Sequence, residues 1–145
     1  MTSIDEPITV LPVGECWDLL ATVSLGRLVT SVDDQLDIFP VNFAVQNRTV
    51  LFRTAEGTKL VSATINSRVL FEADNYNPAE GWSVVVRGRA QVLRSADEIQ
   101  QAQDAPLLPW TPWLKQNYVR ILPTTVTGRR FRFGPEAHEP LPAPS

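Results

Sequence analysis

Apolar residues along this chain alternate with a period of two far more often than they recur with a helical period. The first ten residues are polar or interrupted by proline and read as an arm. After Pro12, the side chains of Cys16, Leu19, Leu20 and Val23 fall on one stripe of a short amphipathic helix, which Ser24 and Gly26 bring to a stop. Leu25 to Ser31 then reads as a strand and Val32-Asp33-Asp34-Gln35 as a turn. A second strand runs from about Asp37 to Val45, with Phe39, Val41, Phe43 and Val45 on one face. Gln46-Asn47-Arg48 turns it back into a third strand, Thr49 to Thr54. Pro40 cannot donate to a ladder, which places an edge, a bulge or a local opening beside Asn42.

The second half continues the pattern. Glu56 to about Asn66 is helical in spacing, Arg68 to Asp74 returns to strand, and Asn75 to Gly81 is rich in turn formers. Trp82 to Leu93 is the clearest strand: Trp82, Val84, Val86, Gly88, Ala90 and Val92 share one face, and Gly88 is where it can bend. Arg87 and Arg89 fall on the other face, which reads as solvated or as an interface. Ser95-Ala96-Asp97-Glu98 is a capping box that starts a short helix. Pro106 to Trp113 reads as a rigid irregular loop. Tyr118–Leu122 and Thr124–Phe133 are the last strands, interrupted by Pro123. The whole predicts a mainly β chain with short helices and about six strands in a small antiparallel barrel. A parallel doubly wound sheet would need a helix after almost every strand. The expected organisation is an arm over 1–12, one barrel domain over 13–134 and a proline-rich tail over 135–145.

Composition narrows the chemistry. At 145 residues the chain has the length of one domain. No apolar run approaches the ~20 residues that span a bilayer, and the N-terminus lacks a basic region followed by a long apolar one, so the expectation is a cytoplasmic protein with no membrane partner. One Cys and one His exclude an intramolecular disulfide and a Cys/His zinc site, so no metal is expected. His138 lies in the tail, a poor place for a catalytic triad. The net charge of −3 and pI near 5.1 argue against general nucleic-acid binding. No residue is singled out as catalytic. If the protein is an enzyme, a cofactor carries the chemistry.

The strongest local signal joins the end of a strand to the start of a helix, at Phe52-Arg53-Thr54-Ala55-Glu56-Gly57-Thr58-Lys59. Free backbone N–H groups at a helix start make an anion site. Arg53 adds a forked donor, Thr54 and Thr58 add hydroxyls, and Lys59 adds a mobile charge, a set that suits a phosphate ester. The competing reading is a simple Thr54 helix cap with Arg53 and Lys59 solvated. Pro40-Val41-Asn42-Phe43, on the preceding strand, can set backbone groups and an amide against a planar heterocycle. Trp82-Ser83-Val84 can bring an aromatic ring and a hydroxyl to the same cleft, although Trp82 equally suits core packing.

The ordered set GRLVTS, IFPVNF, VLFRTAEGTKL, VLFEAD and GWSVVVRGRA resembles the pyridoxamine 5′-phosphate oxidase-like family of flavin-binding split β-barrels, in particular its small bacterial, nitroimidazole-resistance-like branch. That resemblance implies a six-stranded antiparallel split β-barrel forming a homodimer, with FMN at the subunit interface and a small molecule as substrate. It implies that Arg53, Thr54, Thr58 and Lys59 hold the FMN phosphate, that Pro40, Val41, Asn42 and Phe43 line the isoalloxazine, and that Trp82, Ser83 and Val84 approach from the partner subunit. The activity it implies is hydride transfer between flavin and substrate. A deazaflavin-dependent reductase and a non-catalytic flavin-binding protein are the alternatives. The region that completes the vitamin-substrate site of authentic pyridoxamine phosphate oxidases is not recognisable. LLPWTPW and a proline-rich tail stand there instead.

Overall fold

A computed structural model describes residues 6–55, 68–107 and 116–134. Seven strands and two short helices occur among them: β1 (Ile8–Val10), α1 (Val13–Leu20), β2 (Leu25–Val32), β3 (Gln35–Gln46), β4 (Thr49–Ala55), β5 (Arg68–Tyr76), β6 (Glu80–Val92), α2 (Ala96–Gln103) and β7 (Gln116–Arg132). All recorded pairings are antiparallel, in the order β1-β7-β4-β3-β2-β5-β6, and β6 also pairs with β7. That last pairing closes six strands into a ring, a split β-barrel, with β1 as an extra rung on β7.

Two hairpins follow directly from their turn residues. Asp33 and Asp34 join β2 to β3, and Asn47 and Arg48 join β3 to β4, all four with φ between 51° and 63°. Positive φ at both loop residues is the two-residue turn whose twist matches the flanking strands. The inward positions of the ring fill one core that includes Leu28, Phe43, Phe52, Phe71, Val86 and Ile121. Phe71 meets Phe43 edge to face at 4.7 Å between centroids, and its ring occupies the space that a side chain at Gly26 would need. Helix α1 adds Cys16, Trp17 and Leu20 to this core, and Arg130 ties the helix to the wall by binding Glu15 at 2.9 Å and Glu80 at 3.1 Å. Helix α2 seals a smaller cluster of Leu51, Leu93 and Ala102. At its start, Ser95 Oγ accepts from the Glu98 backbone N–H and donates to the Glu98 carboxylate.

The structure departs from the sequence pattern in two places. The arm carries β1, whose Ile8, Thr9 and Val10 pair with Phe131, Arg130 and Arg129 of β7. Strand β7 also runs unbroken through Pro123, because a register shift between Arg87 and Gly88 leaves Thr124 as an extra residue there. Pro123 lies where β7 pairs with β6 alone, since β4 reaches only to Ile121 and β1 begins at Arg129. The expected helix from Glu56 to Asn66, most of the Pro106–Trp113 loop and the tail lie outside the described residues.

Candidate functional site

Among the described residues the β3–β4 pairing is one of two short seams of the ring, and it is the one beside Pro40. Strands β3 and β4 pair over four rungs, from Gln46–Thr49 to Phe43–Phe52. In that register Asn42 would next oppose Arg53, and Val41 would oppose Thr54, but the ladder ends first. Beyond the opening each strand follows its other neighbour, β3 along β2 to Gln35–Val32 and β4 along β7 to Ala55–Gln116. The Phe43 N–H donates to the Ser24 carbonyl at 3.0 Å, so the odd-numbered peptides of β3 face β2. Alternation in an antiparallel ladder then turns the peptide groups of Asn42, and the nitrogen of Pro40, toward the seam. A proline there removes the donor that would help to close it.

The side chains on the two lips differ in kind. Val41 and Phe43 are buried, Asn42 is half-buried and Pro40 is exposed. On the facing strand Thr54 is 2% exposed, and its Oγ1 has no hydrogen-bond partner among the described residues. A buried hydroxyl left in that state costs free energy unless a further group reaches it. Arg53 lies half-buried with its guanidinium carbon 5.6 Å from the centre of the Tyr118 ring, its cross-strand neighbour on β7. The structure thus gathers six of the sequence-derived site residues, Pro40 to Phe43 with Arg53 and Thr54, around one opening. Thr58 and Lys59 lie outside the described residues.

The remaining three candidates sit elsewhere on the barrel. Trp82 and Val84 are buried in the core, while Ser83 points outward and donates to Glu72 Oε2 at 3.0 Å. Glu72 is bound in turn by Arg27 at 3.0 Å, and Arg27 also holds Asp74 at 3.1 Å. Burial, reinforced by the neighbouring Asp74 carboxyl, pushes the Glu72 pKa up, against the opposing pull of Ser83 and Arg27. Carried two residues past the end of the β2–β5 ladder, the outward row from Asn42 runs through Leu25 and Asp74 to Ser83, three interstrand steps or about 14 Å along the sheet. Within one chain, Ser83 therefore does not touch the seam.

Tyr118, Arg27 and Glu72 were not singled out from the sequence, and only strand register could have found them. The one cysteine, Cys16, is fully buried, and burial raises its thiol pKa, which makes it inert. Among the described residues no group of three His, Cys, Asp or Glu side chains could hold a metal, and no helix is long and apolar enough to cross a membrane.

Comparison with known proteins gives this architecture its family. Residues 12–130 match the family model described as pyridoxamine 5′-phosphate oxidase, so the chain belongs to that family. A FAD-binding protein of Mycobacterium smegmatis is 63% identical, with 87% of this chain and 100% of that chain covered and a TM-score of 0.82. A FAD-binding protein of Mesorhizobium loti is 26% identical over 85% of this chain and 96% of that chain, with a TM-score of 0.73. An uncharacterized protein of Mycobacterium tuberculosis is 60% identical over 92 residues, 63% of this chain and 84% of the relative.

Proposed function

We propose that this chain binds a flavin nucleotide at the β3–β4 seam and uses it for oxidoreduction of a small molecule. The observation that carries the reading is the seam itself, where Thr54 offers a buried, unpartnered hydroxyl and the preceding residue of the same strand, Arg53, offers a guanidinium. These groups fit a phosphate ester, which accepts hydrogen bonds and needs a cation nearby. Val41 and Phe43 supply an apolar wall that excludes water, and the Asn42 peptide supplies polar contacts to a ring edge. Bound flavin would supply the hydride chemistry, and the chain would orient and shield it. The Mycobacterium smegmatis relative favours FAD as the flavin, where the resemblance read from the sequence implies FMN.

A second copy of the chain would complete the site. Ser83 lies about 14 Å along the sheet from Asn42 in its own chain, and the same outer face exposes Leu25, the partner of Asn42, and Ile38 further along β3, each more than half accessible. That apolar face supports a homodimer in which Ser83 of one protomer approaches the seam of the other.

The test is an absorption spectrum of the purified protein with and without added FMN or FAD, and mass spectrometry of the released ligand. A flavin spectrum that shifts on binding is expected, and a deazaflavin in the released fraction would replace the assignment. Arg53→Ala should weaken flavin binding by about 1.5–3 kcal/mol, roughly 10- to 150-fold, as expected for a charge-assisted contact. Unchanged affinity would remove the seam as the phosphate site.

A further inference from the structure

On the outer face of β5 and β6, two arginines stand directly opposite one another. Arg68 pairs with Arg89, and Arg87, opposite Leu70, lies one row along the same face. Like charges at directly opposed positions are destabilising. Among the described residues none of these three arginines has a carboxylate partner, whereas Arg27 and Arg130 each hold two. The nearest acids on this face, Glu72 and Asp74, are taken by Arg27. In a chain of net charge −3, this is an uncompensated concentration of positive charge.

The arginines line a groove of about 610 Å³ whose apolar side is built by Val29, Leu36 and Leu70. Its volume lies in the range of small-molecule sites. The β6–β7 bulge falls at its edge. The bare Gly88 lets the Leu122 carbonyl approach, and the extra residue Thr124 donates its hydroxyl proton to the Arg87 carbonyl oxygen at 3.0 Å. Bulges of this kind re-aim neighbouring side chains. Arg87 also lines a second groove of about 360 Å³ that reaches Ser83 and Arg129. The two grooves adjoin and together lead from Ser83 to the Arg68–Arg89 pair.

We propose that this groove is a nucleotide-phosphate subsite, in which Arg68, Arg87 and Arg89 bind the phosphate of an adenosine nucleotide and the Val29–Leu36–Leu70 wall receives its base. A lone inorganic anion would use the arginines and leave the apolar wall uncovered. An adenosine phosphate uses both. Two ligands carry this chemistry: the distal half of FAD, and a nicotinamide dinucleotide acting as electron donor. The first deepens the flavin reading and rests on it. The groove itself stands on its own charges and shape.

The experiment titrates ADP calorimetrically into flavin-free protein, wild type and the double variant Arg68→Gln/Arg89→Gln, and then measures FMN, FAD and NADPH affinities for both. Saturable ADP binding is expected, at least tenfold weaker in the double variant, with FMN affinity unchanged. A loss confined to FAD relative to FMN identifies the flavin's distal half as the occupant, and a loss confined to NADPH identifies the donor. Absence of saturable ADP binding to wild type, or equal ADP binding by the double variant, overturns the proposal. Failure of FMN and FAD to bind wild type would remove the flavin reading while leaving the ADP result to decide the groove. Both substituted side chains are exposed, and removing their mutual repulsion should not impair folding.

Discussion

Strands β6 and β7 pair along the whole of β6, whereas β3 and β4 pair over four rungs. Each pair of strands has a proline on one member, Pro123 on β7 and Pro40 on β3. At Pro123 a single bulge absorbs the missing donor, and the inward side chains of Val84, Val86 and Ala90 hold the strands together on either side. At Pro40 the ladder has already ended, and each strand is held instead by its outer neighbour, β3 by β2 and β4 by β7. A closed barrel can therefore give up rungs at one seam without losing either strand. The opened seam is where a buried hydroxyl, a guanidinium and backbone peptides collect. The wall is built for stability, and the seam keeps polar groups that stability alone would not keep.

Breaking the wall should have the largest effect. Phe71→Ala removes a fully buried ring that packs on Phe43 and covers Gly26, and it should cost about 3–5 kcal/mol. Urea denaturation of the flavin-free protein measures this. A loss under about 1 kcal/mol would mean that the site collapses freely, contrary to a close-packed wall.

At the seam the opposite sign is expected. Thr54→Val keeps the shape and deletes a buried hydroxyl that has no partner, so the flavin-free protein should gain about 1 kcal/mol. The same variant should bind flavin several-fold more weakly. Denaturation without flavin and titration with it separate the two effects. A variant less stable than wild type would show that Thr54 is satisfied within the fold, and the contrast between wall and seam would lose its main support.

Much of this contrast was legible in the sequence. The alternation from Trp82 to Ala90 gave the buried face of β6, Gly88 lies at the shift in its register with β7, and Pro40 marked the opening beside Asn42. Three kinds of feature were hidden. Strand β1 has only Thr9 half-buried, so its pairing with β7 rests on backbone groups that leave no hydrophobic pattern. The continuity of β7 through Pro123 depends on the facing Gly88, which a one-dimensional reading cannot align. The contact of Arg53 with Tyr118, and the opposition of Arg68 and Arg89, arise from register between strands whose spacing is set by the loops that join them. Residue types are local, whereas register is a property of the closed ring.

The smallest effect should come from the acidic cluster on the outside of the wall. Glu72 shares Arg27 with Asp74, receives the Ser83 hydroxyl and faces Val85 across β6. Burial and the adjacent Asp74 raise its pKa in the folded chain above the ordinary 4.5. Between those two values the folded state holds more protons than the unfolded state, so stability falls as pH rises through the window. Wild type should therefore gain stability on going from neutral to mildly acidic pH. Glu72→Gln, which retains an acceptor for Ser83 and cannot ionise, should flatten that part of the profile. For a group this close to solvent the difference should stay under about 1 kcal/mol. Urea midpoints for both proteins across this pH range measure it. Parallel profiles would mean that Arg27 fully compensates both carboxylates, leaving the face around Ser83 without a proton-linked response.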